Sequence, residues 1–220
     1  MQAREQHLAV TRSARYYQLG ELTPATRRVW FVVHGYGQLA AYFIRHFAHL
    51  TAADPALVVI APEGLSRFYL QGSSGRVGAT WMTKDDRLTE IADYVGYLNQ
   101  LAASILPQAA PETEITVLGF SQGAATISRW LAKAVFRPSH LVLWAGGFPP
   151  DMELPTATHL LRQVPVTLVC GTEDEYVSEV QLRQQQQFLE QLGSTPRILR
   201  FPGRHTLDAA TLTELANPAS

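Results

Sequence analysis

A mostly parallel β-sheet with helices on both faces is the fold class the sequence predicts, and three observations point to it. Short apolar runs rich in β-branched residues recur along the chain, they alternate with helix-periodic stretches, and one run ends in a glycine-flanked serine that opens a helix. Continuous apolar strands are those buried on both faces, and strand–helix alternation is how parallel strands are connected. At 220 residues, with 46% hydrophobic and 17% charged content, the chain is expected to fold as one α/β domain over residues 1–220.

Taken in order, Leu8 to Leu19 is polar and reads as an edge hairpin. Strands are predicted at Val29–Val33, Leu57–Ile60, Ile115–Leu118, Leu141–Trp144, Val166–Val169 and Arg197–Phe201. The clearest helix runs from Lys84 to Ile105, because Leu88, Ile91, Val95, Leu98, Ala102 and Ile105 fall on one face; Pro107 ends it. Thr83 with Asp86 three residues later resembles a capping box. A helix over Ala124–Ala134 follows the serine turn, and another spans about Ser178 to Leu192, with Gly193 at the place of a C-terminal cap. The Gln184–Gln187 run reads as a solvated face of that helix.

Composition excludes several classes. A net charge of −1 gives no electrostatic footprint for nucleic acid or an anionic membrane. The single cysteine, Cys170, cannot form an internal disulfide and is expected to be a small core residue. No stretch is long and apolar enough to span a bilayer, and Met1–Val10 lacks the apolar segment of a signal peptide, so a cytoplasmic protein is expected.

The chemistry centres on Gly119-Phe120-Ser121-Gln122-Gly123, a G-x-S-x-G between a predicted strand and a predicted helix. A sharp strand-to-helix turn with small flanking residues lifts a serine to the sheet edge and aims helix N–H groups beside it. Serine needs a base, and the base needs an orienting acid. Glu173, Asp174 and Glu175 all follow the strand ending at Val169, and His205 follows the last strand in a Pro202-Gly203-Arg204 turn. After the first long strand, His34-Gly35-Tyr36-Gly37-Gln38 offers a backbone donor for an oxyanion; the Tyr36 N–H, with the Gln122 N–H, is the predicted pair, and His34 is expected to hold the turn. No histidine cluster has metal-ligand spacing.

With Ser121, His205 and the His34–Gly37 turn in place, the chain resembles the α/β-hydrolase superfamily, and more narrowly the phospholipase/carboxylesterase family that includes acyl-protein thioesterases. Gly-Phe-Ser-Gln-Gly is typical of that family, and Gly171 to Val177 is similar to its G-x-x-D-x-x-V loop, which selects Asp174. Gly203-Arg204-His205 resembles its terminal G-x-H turn. The family's oxyanion turn ends in Asp, where this chain has Gln38. The resemblance implies ester or thioester hydrolysis through a seryl acyl-enzyme with no metal or cofactor.

The substrate side is written less plainly. Leu65–Met82 reads either as a loop over the site, with Phe68, Tyr69 and Trp81 receiving an acyl or alcohol group, or as a surface loop packed on the body. Little room for a lid favours short to medium acyl chains. A base that works only when neutral predicts a rate rising through about pH 6 to 7.5. An acyl thioesterase, a lysophospholipase-like hydrolase or a ligand-binding protein on the same scaffold are the alternatives, and the oligomeric state stays open.

Overall fold

The structure is a computed structural model that describes residues 2–217; Met1 and residues 218–220 of the expected domain lie outside the described residues. In chain order the strands are β1 (Tyr16–Leu19), β2 (Arg28–Val33), β3 (Leu57–Pro62), β4 (Ser66–Tyr69), β5 (Val77–Thr80), β6 (Glu114–Phe120), β7 (His140–Trp144), β8 (Val166–Gly171) and β9 (Arg197–Phe201). The α-helices are α1 (Ala40–Phe43), α2 (Ala48–Ala53), α3 (Arg87–Ile105), α4 (Gln122–Leu131), α5 (Leu154–Gln163), α6 (Glu179–Gln191) and α7 (Ala209–Ala216).

Seven strands form the central sheet in the order β1-β3-β2-β6-β7-β8-β9. All neighbours run parallel except β1, which pairs antiparallel with β3 along the edge. The apolar runs are explained by burial on both faces. In β2, Val29, Phe31 and Val33 point to a core shared with α3, α4, α5 and α6, whereas Trp30 and Val32 point to one shared with α1, α2 and α7. Because the strands are parallel, their carboxyl ends lie at one edge, where an open α/β sheet places its ligand site.

Three local expectations change. Leu8–Leu19 is not a hairpin: only Tyr16–Leu19 is a strand, its partner is β3, and the residues before it have no regular structure. The long helix starts at Arg87 and not at Lys84, and Thr83 makes no capping box. Asp86, the N-cap, sits at φ 44°, and the Thr83 N–H and hydroxyl both turn to the Glu90 carboxylate, so residues 83–86 wind over the first turn instead of joining it. Residues 65–82 are not an unstructured loop, because β4 and β5 form an antiparallel two-stranded hairpin. A capping box is present elsewhere: Ser178 accepts from the Gln181 N–H, and the Gln181 side chain accepts from the Ser178 N–H. No helix among the described residues is long and apolar enough to cross a membrane.

Candidate active site

Ser121 stands between β6 and α4 at φ 54° and ψ −116°, a conformation that L side chains rarely adopt. Close packing around it sustains that geometry. The Ser121 N–H donates to the Trp144 carbonyl at 2.8 Å, and a Cβ on Gly123 would lie 2.2 Å from the Val33 carbonyl oxygen. Only glycine lets α4 come so near β2, which explains the second glycine of the motif. The Gln122 N–H, first of α4, is among those a helix leaves without an intrahelical acceptor.

The carboxylate and imidazole meet in the loops after β8 and β9. His205 Nδ1 donates to Asp174 Oδ2 at 2.9 Å and lies 3.1 Å from Oδ1. The Asp174 side chain is 0% exposed, and its Oδ1 also accepts the N–H groups of Tyr176 and Val177 at 2.8 and 2.9 Å. Glu173 and Glu175 are exposed; among the described residues the Glu175 carboxylate accepts the His205 backbone N–H alone, at 3.4 Å. The imidazole packs between the rings of Phe120 and Tyr176, with centroids 4.9 and 4.7 Å away. Phe120 precedes Ser121, so this packing brings His205 to the elbow. No hydrogen bond from the Ser121 hydroxyl is present among the described residues; in unliganded enzymes such bonds are often long and tighten with substrate.

Across the elbow lies the turn after β2. Gln38 Oε1 accepts the Gly35 N–H at 2.8 Å, the Gly37 N–H donates to the Ala79 carbonyl at 2.8 Å, and the Gln38 N–H donates to the Gly35 carbonyl at 3.3 Å. Of the four N–H groups from Gly35 to Gln38, that of Tyr36 alone has no partner among the described residues. Gln38 therefore closes the turn with its side-chain amide. His34 is fully buried: its Nε2 accepts from the Gly64 N–H at 3.0 Å, and its Nδ1 donates to the Gly35 carbonyl at 2.8 Å. Burial lowers its pKa to about 4, so the ring is neutral and its tautomer is set by these two bonds.

The residues singled out for substrate contact are placed differently from one another. Trp81 is 2% exposed and lies behind the turn, its indole N–H donating to the His34 carbonyl at 2.9 Å. Phe68 stacks against Tyr36, with ring centroids 5.1 Å apart, whereas Tyr69 is on the opposite face of β4 and half exposed. Sequence reasoning missed Gln185, placed in the glutamine run. Its Oε1 accepts the Phe148 N–H at 2.9 Å, fixing the loop after β7. That loop, with Tyr176, Val177 and Gln181, lines a cavity of about 210 Å³; His205 is not part of its lining but packs against the ring of Tyr176. The only prior signal was a polar residue four positions after Gln181 on one helix face. Cys170 forms part of the cavity floor, and burial, with Asp174 nearby, raises its thiol pKa to about 11, as suits an unreactive core residue. Among the described residues, the one group with ligand atoms close enough to share a cation is the exposed trio Glu5, His7 and Asp86, none of which belongs to this site.

Sheet order, the serine elbow and the placement of the loops after β2, β8 and β9 define an α/β-hydrolase. The narrower assignment rests on sequence: the phospholipase/carboxylesterase family model matches residues 23–217, and the chain belongs to that family. It is a hydrolase of the carboxylesterase and thioesterase type. No curated protein matches it. Among solved structures, Zea mays acyl-protein thioesterase 2 is similar with a TM-score of 0.70 and 17% identity, over 93% of this chain and 97% of that one. Esterase PE8 gives 0.69 and 19%, over 92% and 96%. The phospholipase/carboxylesterase of Dyadobacter fermentans gives 0.67 and 18%, over 96% and 98%. At such identities the likeness is one of fold.

Proposed function

We propose that this chain is a serine carboxylesterase that cleaves short- to medium-chain carboxylic esters through an acyl-enzyme on Ser121. The observation that carries the proposal is the Asp174–His205 pair: a fully buried carboxylate, held by two backbone N–H groups, receives the imidazole Nδ1–H beside the elbow. With the proton on Nδ1, Nε2 is the basic nitrogen. His205 takes the Ser121 proton as Oγ attacks the carbonyl, and Asp174 stabilises the imidazolium that results. The N–H groups of Tyr36 and Gln122 bind the oxyanion, and each such donor contributes about 100- to 1000-fold in rate. The imidazolium protonates the leaving alcohol. His205 then deprotonates water, whose attack on the acyl carbon returns Ser121 and releases the acid.

Two features support short chains. The cavity of about 210 Å³ beside Tyr176 has room for a small group, and the Tyr36–Phe68 pair offers an open apolar shelf, with Tyr36 61% exposed. Hydrolysis of a p-nitrophenyl ester series from acetate to palmitate, with Ser121→Ala in parallel, tests the proposal. Expected are a maximum among the shorter esters and a loss of several orders of magnitude in the variant. Equal rates in both proteins would refute the role of Ser121. The matching thioesters, run beside the esters, decide between oxygen and sulfur leaving groups.

A further inference from the structure

We infer that the Gln122 side chain is a positioning group that holds the two oxyanion donors in register with each other; this rests on the oxyanion pair proposed above. Gln122 supplies one donor from its backbone. Its side chain turns away from the nucleophile into the end of the β4–β5 hairpin. There Oε1 accepts the Trp81 N–H at 3.2 Å, Nε2 donates to the Met82 carbonyl at 2.9 Å, and the Thr80 hydroxyl lies within 3.1 Å of both amide atoms. A backbone donor on one side and a backbone acceptor on the other admit one amide orientation only.

The same hairpin end is bonded to the turn that carries Tyr36. Ala79 exchanges hydrogen bonds with it, accepting from the Gly37 N–H at 2.8 Å and donating to the Gln38 carbonyl at 3.1 Å. The Trp81 indole N–H reaches the His34 carbonyl at 2.9 Å. Residues 79–82 are thus a splint, bonded to the oxyanion turn along one side and to Gln122 along the other. Hydrogen bonds lead from one proposed donor to the other without touching Ser121, His205 or Asp174. An oxyanion site demands that its donors converge on a single point, and a displacement of about 1 Å can cost roughly 100-fold in rate. A glutamine that only satisfied the hairpin end would affect stability and leave the rate unchanged.

The test is steady-state kinetics on p-nitrophenyl butyrate with Gln122→Met, Trp81→Phe and the double variant, each checked by its melting temperature. Met keeps the stem and the backbone N–H; Phe keeps an aromatic ring against His34 and Tyr94 but loses the indole donor and part of the buried volume, a cost that the melting temperature reports. Each single variant is expected to lower kcat by about 10- to 100-fold with KM within about twofold. Losses in the double variant should fall well short of the product of the two, because both break one chain of bonds. Gln122→Glu keeps an acceptor for Trp81 but sets a carboxylate oxygen against the Met82 carbonyl, so it should lower kcat at least as much as Gln122→Met. A trifluoromethyl ketone, whose adduct on Ser121 carries the oxyanion, should lose affinity in parallel with kcat/KM. An unchanged kcat, a loss confined to KM, or losses that multiply in the double variant would overturn the inference. Equal hydrolysis by wild type and Ser121→Ala would instead remove the proposed function on which it rests.

Discussion

Asp174 is held by more than its partner imidazole. Because Oδ1 already accepts two backbone N–H groups, an asparagine at this position can keep its carbonyl oxygen there and so keep the loop. Its NH₂ would then face His205 Nδ1 and force the proton to Nε2, where it blocks the base. Asp174→Asn is therefore expected to lower kcat by about 10⁴-fold with little change in melting temperature. A loss under tenfold would point to Glu173 or Glu175 as the acid. Single residues also decide the elbow. Ser121 at φ 54° is strained, and the strain is sustained by contacts too close for any side chain on Gly123.

At the scale of elements, the β4–β5 hairpin joins the proposed substrate shelf to the turn proposed to hold the oxyanion, through the Phe68–Tyr36 ring contact and the Ala79 hydrogen bonds. Alternation along β4 sends Phe68 and Tyr69 to opposite faces, so the two cannot line one pocket. Phe68→Ala removes the ring stacked on Tyr36 and is expected to raise KM for alkyl esters several-fold, whereas Tyr69→Ala leaves KM within about twofold. Saturation curves for both variants on the same ester check this, and equal effects would remove the shelf. Gly78 presses so tightly on the turn that a Cβ there would lie 2.4 Å from the Gly37 carbonyl oxygen. Helix α6 contributes at a distance: Gln185 on its inner face pins the loop after β7 that forms one wall of the cavity.

Over the whole molecule, histidines shielded from solvent are expected to contribute to the response to acid. His34 has its pKa lowered by burial to about 4 from an ordinary value of 6.5, and burial lowers His140 as well. Between those two values the unfolded chain binds more protons than the folded one, so stability falls as pH drops through that window. For His34 alone the loss from pH 7 to pH 4.5 is about 2–3 kcal/mol. Below it, Asp54 and Asp151 act in the same direction, since hydrogen bonds from Arg28, and from Arg87 and Arg129, oppose the cost of burial and hold both carboxyls below their ordinary value. Urea unfolding at pH 7 and pH 4.5 should show this drop, and His34→Gln should flatten the slope whatever its absolute stability. A slope unchanged by that substitution would assign the acid response elsewhere.

Strand periodicity, the order of apolar runs and the pentapeptide around Ser121 determined the sheet and its elbow, because buried strands and tight turns restrict residue type at each position. Both strand ends that bear Asp174 and His205 were legible for the same reason, while the choice among three adjacent carboxylates needed a resemblance. The hairpin over residues 66–80 escaped notice because its glycines and polar residues show no clean alternation. Thr83 failed as a cap because Glu90, seven residues on, competed for it. Tertiary structure alone decided which N–H of the turn is left free, that Trp81 supports the site from behind, and that the amides of Gln122 and Gln185 are structural ties. Those facts depend on which backbone groups other segments occupy. Hydrogen-bond partners distant in sequence leave no period or spacing in the chain from which they could be read.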